Sequence, residues 1–303
     1  MSNISNDKVV EICKKVKSVE DPTMKKKNIL ITGITGSLGQ ALCKELVKQA
    51  KFNIFGIYNS EQKYAYFKRI SSFKNIICFK KNIASENFGN DFNLMLRNNN
   101  INYVIHCAAM KHVDICEQNP IEAVKTNIIA SEIIVKYCKL NNIINLIGLS
   151  TDKSIEPCNI YGYSKLIMQK IILQNGYSVY QGANFFWSSG SVLDIWMQQM
   201  NNKKNLTVTN KSHKRYFNTL EYVSKLLIKN IDKKNSIILP DHVYLIKLED
   251  LLDSFMNYFN YFKYEIIGSL NTEKVIEDID ESISNKISLN KEEILDLIKN
   301  QFK

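Results

Sequence analysis

Tyr161 and Lys165 stand four residues apart, a spacing that puts a phenol and an ammonium on one face of a helix. A phenol of ordinary pKa, near ~10, ionises at neutral pH only where a neighbouring cation favours the phenolate, so the pair reads as a proton-transfer device. Upstream, Ser150-Thr151-Asp152-Lys153 follows the apolar run Asn145-Leu-Ile-Gly-Leu149. A strand ending there delivers hydroxyls, a carboxylate and a second amine to one edge. Tyr-x-x-x-Lys alone is common on solvated helices; the order of these groups along the chain gives it weight.

The elements that must hold them begin at Asn28-Ile-Leu-Ile-Thr, which runs into Gly33, Gly36 and Gly39 and then into the helical Ala41–Val47. This is a strand, a tight turn and a helix whose N–H groups and positive end face a pyrophosphate, so the stretch is read as a dinucleotide site. The second strand, Phe52–Tyr58, ends in Asn59 and Ser60 without the usual carboxylate, with Glu61 next and Lys63 beyond. That leaves room for a 2′-phosphate and favours NADP, with NAD kept open by the nearness of Glu61. Further strands are expected at Ile76–Phe79, at Asn102–Ala109, whose small end residues Ala108 and Ala109 admit a cofactor, and at 145–149, with helical spacing from Ile121 to Tyr137. The expected fold class is α/β: a Rossmann doubly wound parallel sheet with a smaller C-terminal substrate-binding lobe. Residues 1–26 form an extension with helical spacing at Val9–Val16, 27–185 the nucleotide-binding domain, and 186–303 the lobe. In the lobe, helices are expected at Val192–Met200, Leu220–Ile231 and Leu248–Phe262, a strand at Leu206–Thr209, and a final helix capped by Asn290.

The bulk numbers exclude several classes. In 303 residues, 45% hydrophobic and 23% charged, no apolar run reaches the ~18 residues of a membrane span, and the polar N-terminus is no signal peptide, so a cytoplasmic protein is expected. Seven cysteines, an odd number without C-x-x-C pairs, argue against a disulfide framework and against zinc. The net charge of +10 comes from dispersed lysines without aromatic-basic clusters, which points to an anionic small substrate and away from nucleic acid.

The motifs together resemble an extended short-chain dehydrogenase/reductase, in the polysaccharide-biosynthesis branch that contains the UDP-N-acetylglucosamine 4,6-dehydratases. The resemblance rests on Thr32–Gly39, His106-Cys-Ala-Ala-Met-Lys-His-Val113, Cys116–Pro120, Glu122–Ile128, Leu149–Ser154 with Pro157, and Asn159–Lys165. Later come Asn184, Gly190–Val192, Arg215-Tyr-Phe217, Gly268, Glu273-Lys274 and Glu277. It implies that Tyr161 takes the proton of the sugar 4-hydroxyl, Lys165 lowers the tyrosine pKa and binds ribose, and Thr151 holds the hydroxyl. Asp152 is then the acid, and Lys153, with a lowered pKa, the base for loss of water across carbons 5 and 6. It further implies cofactor contacts from Gly33, Thr35, Gly36, Ser37, Leu38, Gly39, Asn59, Ser60, Lys63, Asn82, Ile83, Ala108, Ala109 and Lys111. Substrate contacts fall to Lys111, Asn184, Ser191, Val192, Glu273 and, at the UDP diphosphate, Arg215. The cofactor, NADP or NAD, would stay bound and be regenerated each turnover, and a homo-oligomer is the family default. Tyr161 stands where the membrane-linked retaining relatives carry methionine, which points to the inverting type. The chain departs from the pattern at Asn59-Ser60, at Asn82 and at Ser189, where an arginine is expected. A 4-epimerase or ketoreductase using Tyr161 and Lys165 alone, or a silent nucleotide binder, are the alternatives.

Overall fold

The computed structural model describes residues 26–302 apart from 71, 72, 74 and 270–272; the stretch Val9–Val16 lies outside the described residues. β1 (Lys27–Thr32) buries Ile29, Leu30 and Ile31 completely, as an interior strand covered on both faces must. It turns into α1 (Ser37–Gln49), and the alternation continues through β2 (Phe52–Tyr58), α2 (Glu61–Ile70), β3 (Ile77–Lys80), α3 (Phe88–Asn98) and β4 (Tyr103–His106). β4 stops at His106, so Cys107, Ala108 and Ala109 leave the sheet. The helical spacing from Ile121 is realised in pieces. Past α4 (Val113–Gln118), α5 (Pro120–Ala123) passes into a π-helical turn, Val124–Ile129, before α6 (Ala130–Leu140). Next come β5 (Asn145–Leu149), a single 3-10 turn at Asp152–Ser154, α7 (Ile160–Gln174) and β6 (Ser178–Tyr180).

The chain then enters the smaller lobe: β7 (Asn184–Phe186), α8 (Val192–Asn201), β8 (Leu206–Val208), β9 (Lys214–Thr219), α9 (Leu220–Lys229), β10 (Ile237–Ile238), β11 (His242–Lys247), α10 (Leu248–Phe259), β12 (Tyr264–Ile266), β13 (Asn285–Ser288) and α11 (Lys291–Asn300). Seven strands pair in parallel in the order β10-β6-β5-β4-β1-β2-β3. One face packs on α1 and α9 through Leu42, Leu46, Val223 and Leu227. The other packs on α3, α6 and α7 through Phe88, Phe92, Ile134 and Met168. The strand order reverses between β1 and β4, and ligands of open α/β sheets settle at the carboxyl edge of such a switch.

Two elements from beyond residue 185 complete the large sheet: β10 covers the edge of β6, and α9 covers α1. An exposed parallel edge and a bare apolar helix face are both unfavourable, so the chain returns to close them. The lobe has its own sheet, β13-β11-β9-β7, a two-stranded piece, β12-β8, and a core around Trp196 and Phe255. α11 seals that core with Ile294 and Ile298, and its start is fixed by a capping box between Asn290 and Glu293.

Candidate active site

The glycine turn opens a cleft of about 810 Å3 at the switch point. Gly33 takes φ +69°, and a Cβ at Gly39 would sit 2.6 Å from the carbonyl oxygens of Gly33 and Ile34, so α1 can start this close to β1 only without a side chain there. Gly36 caps α1 with no side-chain bond, which leaves the first-turn amides and the positive helix end open to an anion. Every residue expected at the cofactor lines this one cleft. Gly33, Thr35, Gly36, Ser37, Leu38 and Gly39 line it at the glycine turn, Asn59, Ser60, Asn82 and Ile83 line it past β2 and β3, and Lys63 lines it from α2, within electrostatic reach of Lys111 and His112. Ala108, Ala109, Lys111, Tyr161 and Lys165 complete the lining. Its size lies within the ~300–1,000 Å3 of small-molecule sites. A fissure past an open helix N-terminus, floored by small residues, fits a dinucleotide.

At the adenosine end, Glu61 is turned away to pair with Lys80 at 3.3 Å, with its side chain 83% exposed. Lys81 lines the cleft but is paired with Asp91 at 2.8 Å. Lys63 lines it with no ion-pair partner among the described residues. Over the phosphate turn lies a loop of the lobe: Ser189 N–H donates to Ser37 Oγ at 2.8 Å, and Lys111 Nζ donates to the Ser189 carbonyl at 2.5 Å.

Behind the inner end runs a buried chain of hydrogen bonds. Ala108 N–H donates to Thr32 Oγ1 at 3.1 Å, Thr32 Oγ1 lies 2.7 Å from His106 Nδ1, and His106 Nε2 lies 3.0 Å from Ser131 Oγ. Ser131 donates onward to the Asn127 carbonyl at 2.7 Å, and Asn127, in the π turn, bonds Met110 and Ser164. The chain runs in one direction only if His106 is the neutral Nε2–H tautomer. Burial, aided by Lys165, holds its pKa down to about 3. Lys165 is lowered by burial to about 8, and its Nζ lies 3.4 Å from Met168 Sδ.

Tyr161 sits at the start of α7, which Asn159 caps through Gly162 N–H at 2.8 Å. A Cβ at Gly162 would stand 2.3 Å from the Lys153 carbonyl, so the glycine lets α7 abut the 3-10 turn and brings Tyr161 to Lys153. Burial raises the Tyr161 pKa to about 12, against the Lys153 charge and the Thr151 hydroxyl, both of which favour the phenolate. The cation acting on the phenol here is Lys153, where the sequence reading gave Lys165. Thr151 Oγ1 donates to Asp152 Oδ1 at 2.8 Å, which also accepts from Lys153 N–H at 2.9 Å and from Lys153 Nζ at 3.2 Å. Asp152 Oδ2 is buried with no partner.

The expectation of a lowered Lys153 pKa is corrected. Burial pushes it down, but Asp152, Glu277 and Tyr161 more than reverse this, and it ends above its ordinary value. Lys153 Nζ also donates to Asn184 Oδ1 at 3.2 Å and lies 3.5 Å from Glu277 Oε1. Arg215 is engaged from several sides: Nε lies 3.8 Å from Glu277 Oε1, and its other nitrogens reach the Lys214 and Val275 carbonyls and His213 Nδ1. Asn184, Ser191, Val192, Arg215 and Glu273 are outside the residues that line the cofactor cleft. Asn184 and Arg215 converge on Lys153 and Glu277, Ser191 caps α8 with a buried unpartnered Oγ, and Val192 is that helix's first residue. Glu273 keeps a buried unpartnered Oε2, while Lys274 ties the Ile155 and Glu156 carbonyls and Asp278. Sequence reasoning gave no role to Glu277, Asn127 or Ser37 Oγ as the bond partner of the lobe loop; their relevance depends on contacts over long sequence separations.

A dinucleotide cleft at the switch point of a parallel sheet, lined by Tyr161 and Lys165, with Thr151 beside Tyr161 but, like Asp152 and Lys153, outside the lining, defines an extended short-chain dehydrogenase/reductase. More narrowly, residues 29–298 match the family described as polysaccharide biosynthesis protein, and the chain belongs to that family. The UDP-N-acetylglucosamine 4,6-dehydratase (inverting) of Campylobacter jejuni subsp. jejuni serotype O:23/36 (strain 81-176) is 33% identical over 217 residues, 68% of this chain. The match spans 64% of that relative's length, just under two thirds. Among solved structures, Pen from Bacillus thuringiensis superposes with a TM-score of 0.78 at 26% identity, covering 92% of this chain and 99% of the other. UDP-glucuronic acid 4-epimerase from Bacillus cereus, in complex with UDP-glucuronic acid and NAD, shares the fold with a TM-score of 0.76 at 18% identity, over 90% and 99% of the two chains.

Proposed function

We propose that this chain is a nucleotide-sugar 4,6-dehydratase that converts UDP-N-acetylglucosamine to a UDP-4-keto-6-deoxy-N-acetylhexosamine, with inversion at carbon 5, for surface-glycan synthesis. The observation that carries the reading is the contact between the Asp152 carboxylate and the Lys153 amine beside Thr151 and Tyr161. Epimerisation or ketone reduction needs a tyrosine and a hydride carrier; only elimination needs a second acid and base. The name of the Campylobacter jejuni relative points the same way.

Bound NAD(P) supplies a hydride acceptor and then a hydride donor within one turnover. Tyr161 receives the 4-hydroxyl proton, and the Lys153 charge and Thr151 hydroxyl stabilise the phenolate that accepts it. Lys165, buried at the cleft wall, is the candidate for the ribose hydroxyls. Once carbon 4 is a ketone, the carbon 5 proton is acidic, and Lys153 in its amine form removes it. Asp152 in its acid form protonates the 6-oxygen, for which the unpartnered Oδ2 is a vacant bonding position. Lys63, lining the cleft with no ion-pair partner among the described residues, supports NADP over NAD. Substrate contact is assigned to Lys111, Asn184, Ser191, Val192, Arg215 and Glu273; for Arg215 it requires the guanidinium to exchange one of its present partners for the diphosphate.

Among the described residues no helix is long and apolar enough to cross a membrane, and no group of three or more His, Cys, Asp and Glu side chains could hold a metal. The described cysteines form no disulfide, which suits a reducing compartment, and we place the protein in the cytoplasm. Exposed Ile121, Ile129, Tyr163 and Ile167 on adjacent helical segments are the candidate self-association surface. The test is Asp152→Asn: loss of water should fall ~10²–10⁴-fold while hydride exchange at carbon 4 persists. If both fall together, the assignment of Asp152 fails; if neither changes, a 4-epimerase or ketoreductase is the better reading.

A further inference from the structure

Lys153 carries three ammonium hydrogens and faces three acceptors. Asp152 Oδ1 lies at 3.2 Å, Asn184 Oδ1 at 3.2 Å and Glu277 Oε1 at 3.5 Å. The three come from the 3-10 turn after β5, from β7 and from the segment beyond residue 272, so the nitrogen is held from three directions. Glu277 is brought in by a bridge between Lys214 on β9 and Ile276, which sets it beside Arg215. It is only 7% exposed, and a carboxylate is placed so deep only where cations repay its desolvation. Two carboxylates, Asp152 and Glu277, face two cations, Lys153 and Arg215.

We propose that Glu277 is a positioning residue for the elimination: it fixes Lys153 Nζ between Asp152 and Asn184 and stores the Lys153–Asp152 pair in its ionised form. The proposal rests on the dehydratase reading above and adds what makes the pair usable. One proton moving from Lys153 Nζ to the Asp152 carboxylate converts ammonium and carboxylate into amine and carboxylic acid, the two forms elimination requires. The amine then takes the carbon 5 proton, and the acid protonates the 6-hydroxyl. The C5–H and C6–O bonds break, the C5–C6 double bond forms, water leaves, and the ion pair is restored. No proton enters or leaves the site over this step. Glu277 opposes the first transfer by favouring the ammonium, as Tyr161 does, while the Arg215 charge favours the amine. Around Glu277 itself the cations are Lys153, Arg215 and, further out, Lys274. The carboxylate therefore sets how readily the proton moves.

Glu277→Gln keeps an oxygen in the third position and removes the charge. In protein labelled at lysine carbons, the Lys153 Cε resonance, assigned by its absence in Lys153→Arg, should titrate ~1–3 pH units lower in Glu277→Gln than in the unmodified chain. The basic limb of deuterium incorporation at carbon 5, where Lys153 gives up the proton that the pair shares, should move down in pH by the same amount. Should Glu277→Gln not fold, Glu277→Asp, which withdraws the carboxylate by one methylene, should give a smaller shift of the same sign. An unmoved Lys153 titration overturns the proposal, and so does a rate lowered equally at every pH, which is what a purely structural glutamate would give. If the unmodified chain incorporates no deuterium and releases no water, the dehydratase reading fails. The lysine titration then still decides whether Glu277 holds Lys153 as an ammonium.

Discussion

Lowering the pH from 7.5 to 5 should destabilise the fold through His106 by about 2 kcal/mol. The ring is 2% exposed and sits between Thr32 and Ser131, and its folded pKa is held at about 3 by burial and by Lys165. In the unfolded chain the same imidazole titrates near ~6.5. The sign follows: above the unfolded value both states are neutral and the residue gives no pH dependence. Below it the unfolded state binds a proton that the folded state refuses, so stability is lost progressively down to the folded value. At pH 5 the interval is about 1.5 pH units, and at ~1.36 kcal/mol per unit it amounts to ~2 kcal/mol. Other groups titrate in this range as well, so the measurement is a difference. Urea unfolding of the unmodified chain and of His106→Gln, whose amide can both accept from Thr32 and donate to Ser131 without titrating, is compared at pH 7.5 and 5. The stability gap between them should change by ~2 kcal/mol in favour of the glutamine as pH falls. Parallel curves would refute the reasoning, because they would mean that His106 is either protonated in the fold or able to accept a proton there at no cost.

Two further substitutions probe the cleft. Gly39→Ala forces a methyl against the Gly33 and Ile34 carbonyl oxygens at 2.6 Å, neither of which can yield without opening the turn. Dinucleotide affinity measured by calorimetry should fall by at least ~10-fold, together with a lower melting temperature. Lys63→Ala removes a cleft-lining cation that has no ion-pair partner among the described residues. NADP affinity should fall while NAD affinity stays within about twofold, as only the former carries the extra phosphate.

What the sequence disclosed was set by distance along the chain. The glycine turn and the Thr151–Lys153 block act through neighbours within a few residues, so spacing determined their geometry, whereas the spacing of Tyr161 and Lys165 pointed to the wrong cation: the one acting on the phenol is Lys153, eight positions away. The alternation of strands and helices was readable for the same reason up to β5, and Asn290 was readable as a cap because capping is local. The ionisation of Lys153 was not, because its partners Asn184 and Glu277 lie 31 and 124 positions away and meet it only through β7 and the bridge beside β9. Burial alone would have lowered its pKa, as the sequence reading supposed; two carboxylates together reverse that. The engagement of Arg215 by Glu277 and by backbone carbonyls was hidden in the same way. β10 escaped notice because a two-residue strand carries no periodicity, yet it closes the sheet edge.

Elimination of water from a 4-keto nucleotide sugar by the proposed Asp152–Lys153 pair leaves a direct chemical signature. Incubating the protein with UDP-N-acetylglucosamine and NADP in deuterated water, followed by proton NMR and mass spectrometry, tests it directly. The expected product has lost one water and carries deuterium at carbon 5, with coupling constants of the inverted ring. Recovery of a sugar that keeps its 6-hydroxyl and its carbon 5 proton, with the cofactor bound throughout, would contradict it.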